Sequence, residues 1–354
     1  MKKKIAILPG DGIGPEVMRE TLRVLDCIEK VFNHSFDYLE SEVGGQAYDR
    51  YQSHCPEKTL KICENADAIL FGSVGGPVAE QQQAKWKNCE INSILKIRKH
   101  FNFSTNIRPV IIYPALANSS PIKNSQSVDF VVFRELLGGI YFGRHERTMK
   151  DNQKIAIDES YYHENQIKQI AHAAFNAARS RKKRVHLIDK ANVLATSKLW
   201  REIVMEIAQD DSEIELIPMF VDNCAMQMVI NPAQFDIILT ENMFGDILSD
   251  LGAALSGSIG MMPSASLNSE GFGLYEPAGG SAPDIANQNI ANPCAQLLSA
   301  AMMLRYSFHA EEEAQAIEKA VKKTLSRGIA TRDIKKEKPA STSIFIDAII
   351  EALS

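Results

Sequence analysis

What this chain lacks narrows it first. Its 354 residues contain no apolar run long enough to span a bilayer, so no membrane partner is expected. The six cysteines (Cys27, Cys55, Cys63, Cys89, Cys224 and Cys294) form no CxxC pair and no close cluster with histidine. Neither a structural zinc nor a disulfide framework follows from them, and they suit buried thiols in a reducing cytoplasm. A net charge of −5 carries no basic excess, which argues against general nucleic-acid affinity. No internal repeat, low-complexity tract or polar linker interrupts the chain. Met1-Lys2-Lys3-Lys4 leads straight into Ile5-Ala6-Ile7-Leu8, too short for a signal-peptide core and better read as a first strand. The turn after it lacks the dinucleotide fingerprint: Gly10, Gly12 and Gly14 are spaced G-x-G-x-G, not G-x-G-x-x-G, so a Rossmann reading is declined.

What is present points to an α/β fold. The length exceeds what one core usually holds, so two domains are expected, and an apolar fraction of 45% is ample for both. Buried strands are read at 4–8, 68–71, 128–133, 185–188, 214–220 and 235–239, with another entered at 106. Helices are read at 16–32, 90–98, 165–184, 200–208, 293–306, 311–326 and 343–353. Residues 150–157 suit a protruding β arm. Residues 78–89, polar and aperiodic, are expected to form a mobile loop. With no linker, the domain boundary must lie inside the sheet.

The stretch 235–257 organises the rest. After its strand, residues 240–245 read as a turn and a helix follows from Asp246. Asp246 and Asp250 stand four apart on that helix, so their carboxylates share a face and repel. The helix dipole reaches Asp246 in the first turn but not Asp250. A hard divalent ion, Mg2+ or Mn2+, would relieve the pair; so would plain solvation, and spacing alone does not choose. Asp222, which ends the strand at 214–220, is the third carboxylate assigned to the metal. Arg98, Arg108 and Arg134 each sit at an element end. They converge on small carboxylates, which arginine grips in a bidentate fork, or stand apart on the surface. Lys190 ends a buried strand beside Asp189, as a catalytic amine or as that carboxylate's ion-pair partner. The glycine-rich loop at 72–77 follows a strand end, where an α/β sheet lines its ligand crevice, and the 271–285 loop is too rich in special residues to be a mere connector.

Six motifs occur in order: GDGIGPE from Gly10; Asn106-Ile107-Arg108-Pro109; Arg134-Glu135-Leu136 with Gly138-Gly139-Ile140-Tyr141-Phe142-Gly143; Asp189-Lys190-Ala191-Asn192-Val193; Asn242 with Phe244-Gly245-Asp246-Ile247-Leu248-Ser249-Asp250; and Gly280-Ser281-Ala282-Pro283-Asp284-Ile285-Ala286. Over nearly its whole length the chain resembles the isocitrate/isopropylmalate dehydrogenase family of metal-dependent β-decarboxylating dehydrogenases. The resemblance implies an isopropylmalate dehydrogenase-like fold, two α/β domains sharing one long mixed sheet, not Rossmann. The first domain would be 1–103 with 257–354, on the cofactor side. The second, 104–256, would carry substrate, metal, dimer interface and β arm.

The same resemblance implies roles. Arg98, Arg108 and Arg134, with Asp222, would hold a small 2-hydroxy diacid. Tyr141 and Lys190 would be the acid–base pair, and Asp222, Asp246 and Asp250 would hold Mg2+ or Mn2+. The family is homodimeric with shared sites, so Lys190 and Asp222 would come from the neighbour. Gly76, Gly280, Ser281, Ala282, Pro283, Asp284, Ile285 and Asn292 would bind the nucleotide. A carboxylate at Asp284 accepts from both ribose hydroxyls but repels a 2′-phosphate, which implies NAD rather than NADP. Glu90 would repel a third substrate carboxylate, while Ile94, with Val193 of the neighbour, would meet an isopropyl group. The implied reaction is oxidative decarboxylation of (2R,3S)-3-isopropylmalate to 4-methyl-2-oxopentanoate in leucine biosynthesis; tartrate, malate or homoisocitrate are the alternatives. Two departures stand out. Leu137 replaces the usual threonine, and Asn287-Gln288 replaces the usual Gly-Lys. Asparagine tolerates left-handed backbone, so that turn is expected to survive.

Overall fold

The computed structural model describes residues 1–122 and 128–353. The chain forms two compact units. Unit one takes Met1–Phe101, Ser256–Ser354 and, as far as it is described, Ile112–Gln126. Its strands are β1 (Lys2–Gly10), β2 (Ser35–Glu40), β3 (Ala68–Ser73), β11 (Pro263–Leu267) and β12 (Gly273–Pro277), ordered β2-β1-β3-β12-β11. All neighbours are parallel except β11 and β12. Ile5, Ala6, Ile7 and Leu8 are all buried, as a strand covered on both faces requires. The helices are α1 (Gly14–Phe32), α2 (Gly45–Tyr51), α3 (Glu57–Glu64), α4 (Lys96–His100), α9 (Cys294–Tyr306), α10 (Glu311–Ser326) and α11 (Thr342–Leu353). Helix α1 carries Pro15 in its first turn, where a missing N–H costs nothing. Helix α9 is buried from Cys294 to Leu304 on every side.

Unit two takes Asn102–Ile111 and Ser127–Leu255. Its strands are β4 (Thr105–Ile111), β5 (Asp129–Glu135), β8 (Arg184–Asp189), β9 (Glu215–Phe220) and β10 (Ile237–Thr240), ordered β4-β5-β10-β8-β9. Only β4 runs antiparallel to its neighbour. The helices are α5 (Glu164–Arg179), α6 (Ala195–Gln209), α7 (Val221–Ile230) and α8 (Asn242–Leu255). Strands β6 (His145–Lys150) and β7 (Gln153–Asp158) form the expected arm. Its two-residue turn has Asp151 and Asn152 at φ 51° and 62°, the left-handed pair that tight hairpins need.

Four local expectations are revised. Helix α8 starts at Asn242, so Asp246 is not in its first turn and the dipole does not offset its charge. Residues 221–230 form the helix α7 where the sequence suggests only a strand's end, and Asp222 lies in its first turn. Helix α5 stops at Arg179 instead of running to 184. The 90–98 helix opens with a π turn at Ile91–Leu95, where the buried Ser93 hydroxyl donates back to the Cys89 carbonyl at 2.5 Å.

Candidate active site

In unit two the carboxylate pair is bracketed by arginines. Asp246 and Asp250 stand one turn apart on α8. Arg108, on β4, puts Nη1 at 3.8 Å from Asp246 and 3.5 Å from Asp250. Arg134, at the end of β5, ion-pairs with Asp246 through Nη1. Both guanidiniums are buried and aimed by neutral acceptors. Arg108 donates to Asn106 Oδ1 (2.9 Å) and Ser249 Oγ (2.8 Å), and Arg134 donates twice to Asn242 Oδ1 (3.0 and 2.9 Å). Burial, then the neighbouring Asp246 charge, push the Asp250 acid upward against the pull of Arg108. Tyr141 donates its hydroxyl to Asp246 at 2.9 Å, and burial with that carboxylate pushes the phenol up to about 12. Behind these groups lies a buried layer that sequence reasoning missed. Glu241 accepts from the Phe244 amide (2.7 Å) and the Tyr162 hydroxyl (3.1 Å), while Asn242 Nδ2 donates to the Gly138 carbonyl (3.1 Å).

Lys190 and Asp222 form a second cluster. Lys190 donates to Asp222 Oδ1 at 2.5 Å, and this bond holds the Asp222 acid below its ordinary range. The alternative of a Lys190–Asp189 pair is overturned: both Asp189 oxygens accept from Arg201 at 2.8 Å. Val193 follows on the same loop and is 64% exposed. Among the described residues no group of three acidic, histidine or cysteine side chains stands close enough to hold a metal. The chain thus pairs Asp246 with Asp250 but does not add its own Asp222. Two carboxylates open to solvent offer the all-oxygen donors a hard divalent ion takes, and they fit two thirds of the expected ligand set.

Unit one supplies the remaining candidates. Asp11, to which the sequence assigned no role, is a buried hub. Its carboxylate accepts from the amides of Gly45 (2.8 Å), Gln46 (3.0 Å) and Gly75 (3.0 Å), tying three loops together. Gly75, at φ 112°, lets the Glu90 carboxylate come within 2.7 Å of where a Cβ would stand. Gly76 faces the indole of Trp86, so the 78–89 segment is seated on this loop. Ile94 is only 7% exposed, packed into the core; on the same turn Ile91 is 60% exposed. Arg98 donates to Glu276 at 2.8 Å.

The 279–292 loop walls a cavity of about 570 Å³. Gly280, Ala282, Ile285 and Asn292 line it, with Ile13 and Val17 from the start of α1; Ser281, Pro283 and Asp284 lie between them on the same loop. The Ser281 carbonyl accepts from the Ile13 amide at 2.8 Å. Gly12 passes so close beneath it, at φ 59°, that a Cβ would stand 1.9 Å from that oxygen. Asn287 has φ 60°, the left-handed turn expected of it. The mostly apolar walls suit a flat heterocycle such as adenine.

A family model described as isocitrate/isopropylmalate dehydrogenase matches residues 4–349. The chain belongs to that family. A 3-isopropylmalate dehydrogenase from Campylobacter jejuni (strain RM1221) is 51% identical over 359 residues, covering 99% of this chain and 97% of the relative. Another, from Geobacter metallireducens, is 50% identical, covering 99% of each. Among solved structures, isocitrate dehydrogenase from Methylococcus capsulatus superposes with a TM-score of 0.88 at 33% identity, covering 99% of both chains. The family's dehydrogenases carry the α/β fold expected from the sequence, and no helix described here is long and apolar enough to cross a membrane.

Proposed function

We propose that the chain catalyses oxidative decarboxylation of (2R,3S)-3-isopropylmalate to 4-methyl-2-oxopentanoate and CO2, with NAD+ as oxidant, as a cytoplasmic homodimer. The observation that carries this reading is the convergence of Arg108, Arg134, Tyr141, Asp246 and Asp250 at one end of the unit-two strands. Arginine forks held by Asn106, Asn242 and Ser249 are preorganised for a dicarboxylate. Arg98 would add the third cation, and Glu90 would repel substrates bearing a third carboxylate. Relatives named 3-isopropylmalate dehydrogenases at half identity support the choice of acid.

Asp246 and Asp250, with Asp222 of the partner subunit, would hold Mg2+ or Mn2+. The 280–292 loop and Gly76 would hold NAD+. When bound, the dinucleotide supplies the hydride acceptor and the ion supplies positive charge where substrate oxygen turns anionic. This chain's own groups move the protons. Lys190 of the partner subunit, held on Asp222, would take the proton from the C2 hydroxyl. Tyr141, protonated throughout the neutral range, would return a proton to C3 after CO2 departs. Ile94 would need to emerge from its packing to meet the isopropyl group, with Val193 of the partner subunit opposite. The Asp284 carboxylate would favour NAD over NADP.

An assay of isopropylmalate with NAD+ and Mg2+ or Mn2+ tests the reading directly. NADH and CO2 should appear together, stop with chelator and resume with added metal. Lys190→Met and Tyr141→Phe should each lower kcat by about 100-fold or more. A chain that turns over tartrate or malate but leaves isopropylmalate untouched would sink the assignment.

A further inference from the structure

A polar groove of about 410 Å³ in unit one serves none of the roles above. Gln52 and His54, just past the end of α2, line it together with Lys87, Asn88, Asn92 and Lys96, and no carboxylate does. Of the three lysines on this segment only one is neutralised: Lys85 ion-pairs with Asp49 at 2.5 Å. Lys96 donates to the Cys55 carbonyl at 2.9 Å, a neutral acceptor that fixes the ammonium and leaves its charge uncompensated. Lys87 has neither an ion pair nor a side-chain hydrogen bond among the described residues, and the same holds for the side-chain amides of Asn88 and Asn92. The His54 ring is 4% exposed and held in place. Its Nε2 donates to the Lys85 carbonyl at 2.8 Å, and its centroid lies 4.8 Å from that of the Tyr48 ring. Because the partner of Nε2 is a carbonyl, Nε2 carries the hydrogen, and Nδ1 of the neutral ring is an acceptor.

We infer that this groove is a binding site for a phosphate dianion, free or as the head of a small phosphomonoester. Two cations without a counter-charge in one concavity focus a positive potential there. The kind of cation selects the anion. An ammonium is a point charge with three rotatable donors and meets a tetrahedral phosphate oxygen from any side, whereas the guanidinium forks of unit two match a planar carboxylate. The Asn88 and Asn92 amides add neutral donors, and the volume leaves room for the organic part of an ester. Binding has a local consequence. His54 already holds the Lys85 carbonyl, and the anion holds Lys87, so Trp86 between them is fixed from both sides. The site stands whether or not the proposed reaction does, since no group of that reaction lines it.

Calorimetric titration of the full chain with inorganic phosphate and with glycerol 3-phosphate, at constant ionic strength, tests the site without turnover. Binding should saturate and should shift tryptophan emission, with Trp200, 1% exposed, as a constant background. Lys87→Gln should weaken binding by about tenfold and Lys87→Glu by more, with loss of the emission change, while Lys87→Arg should keep most of the affinity. Lys87 is exposed, so an unchanged melting temperature shows that the variants fold. Tighter binding of glycerol 3-phosphate than of inorganic phosphate would identify an ester as the ligand, and equal binding would identify free phosphate. If the Lys87 variants bind as the wild type does and Arg108→Lys does not, the anion sits on the arginines of unit two and the inference falls. It falls too if neither probe binds saturably to the wild-type chain.

Discussion

Glu135 is fully buried, and its two oxygens accept from the Leu137 and Gly138 amides at 2.7 and 2.8 Å. Desolvation outweighs those bonds and, with the nearby Glu241 charge, pushes the acid up to about 7. The folded value therefore lies above the unfolded one. Stability linked to this group is complete below about pH 4.5 and is lost as pH rises to about 7, on the order of 3 kcal/mol in all. Replacing the group by glutamine removes the titration. Urea unfolding at pH 5 and pH 8 should show the wild type losing stability relative to Glu135→Gln by roughly that amount. Parallel losses in the two proteins would show that Glu135 is ionised in the fold at both pH values. The prediction matters to the site because the turn Glu135 holds leads to Gly138, whose carbonyl steadies Asn242 and through it Arg134.

At the scale of elements, what was legible followed period and length. Strands such as β1 and β3 show continuous apolar runs, and α1 and α10 show clear stripes, so both kinds were read within a few residues. Helix α7 was missed because Met226, Val229 and Ile230 are apolar on its exposed side, which blurs the 3.6-residue signal of a surface helix. The start of α8 was placed late because Asn242 looked like turn chemistry; in the fold its side chain is spent on Arg134 and Gly138. The carboxylate pair on α8 was found from spacing alone, but its counter-charges lie 112 and 138 residues away in sequence, at Arg134 and Arg108 for Asp246, beyond any local rule. The 78–89 segment was expected to be mobile for want of periodicity. In the fold Trp86 covers Gly45 and Gly76, and its Nε1 donates to Glu80 at 3.1 Å. A Cβ at Gly76 would stand 2.3 Å from the indole. Gly76→Ala should therefore unseat Trp86, at a cost of about 1–3 kcal/mol. Red-shifted tryptophan emission would report it against Trp200, which is 1% exposed. Unaltered emission would mean that the loop adapts with the indole in place.

At the scale of the whole molecule, a single chain leaves two things incomplete. Asp222 and Lys190 pair with each other, and no third carboxylate joins Asp246 and Asp250 among the described residues. Helices α7 and α8 also leave Met226, Val229, Ile230 and Ile247 between 50% and 68% exposed, an apolar face of the sort that obligate partners cover. The proposed homodimer, in which each copy lends Lys190 and Asp222 to the other, would resolve both. Sedimentation should give a dimer, and Val229→Glu should yield inactive monomer. Sharing, if the proposal holds, would have a sharper consequence. Homodimers of Lys190→Met and homodimers of Tyr141→Phe each have two damaged sites. In a mixed dimer, one site receives the intact Tyr141 of the first chain and the intact Lys190 of the second, while the other site receives both lesions. Unfolding the two variants together and refolding them at random makes about half of the dimers mixed, so about a quarter of wild-type turnover should return from two nearly inactive parents. If Lys190 and Tyr141 instead served one site within a single chain, every site in the mixture would keep one lesion and no activity would return.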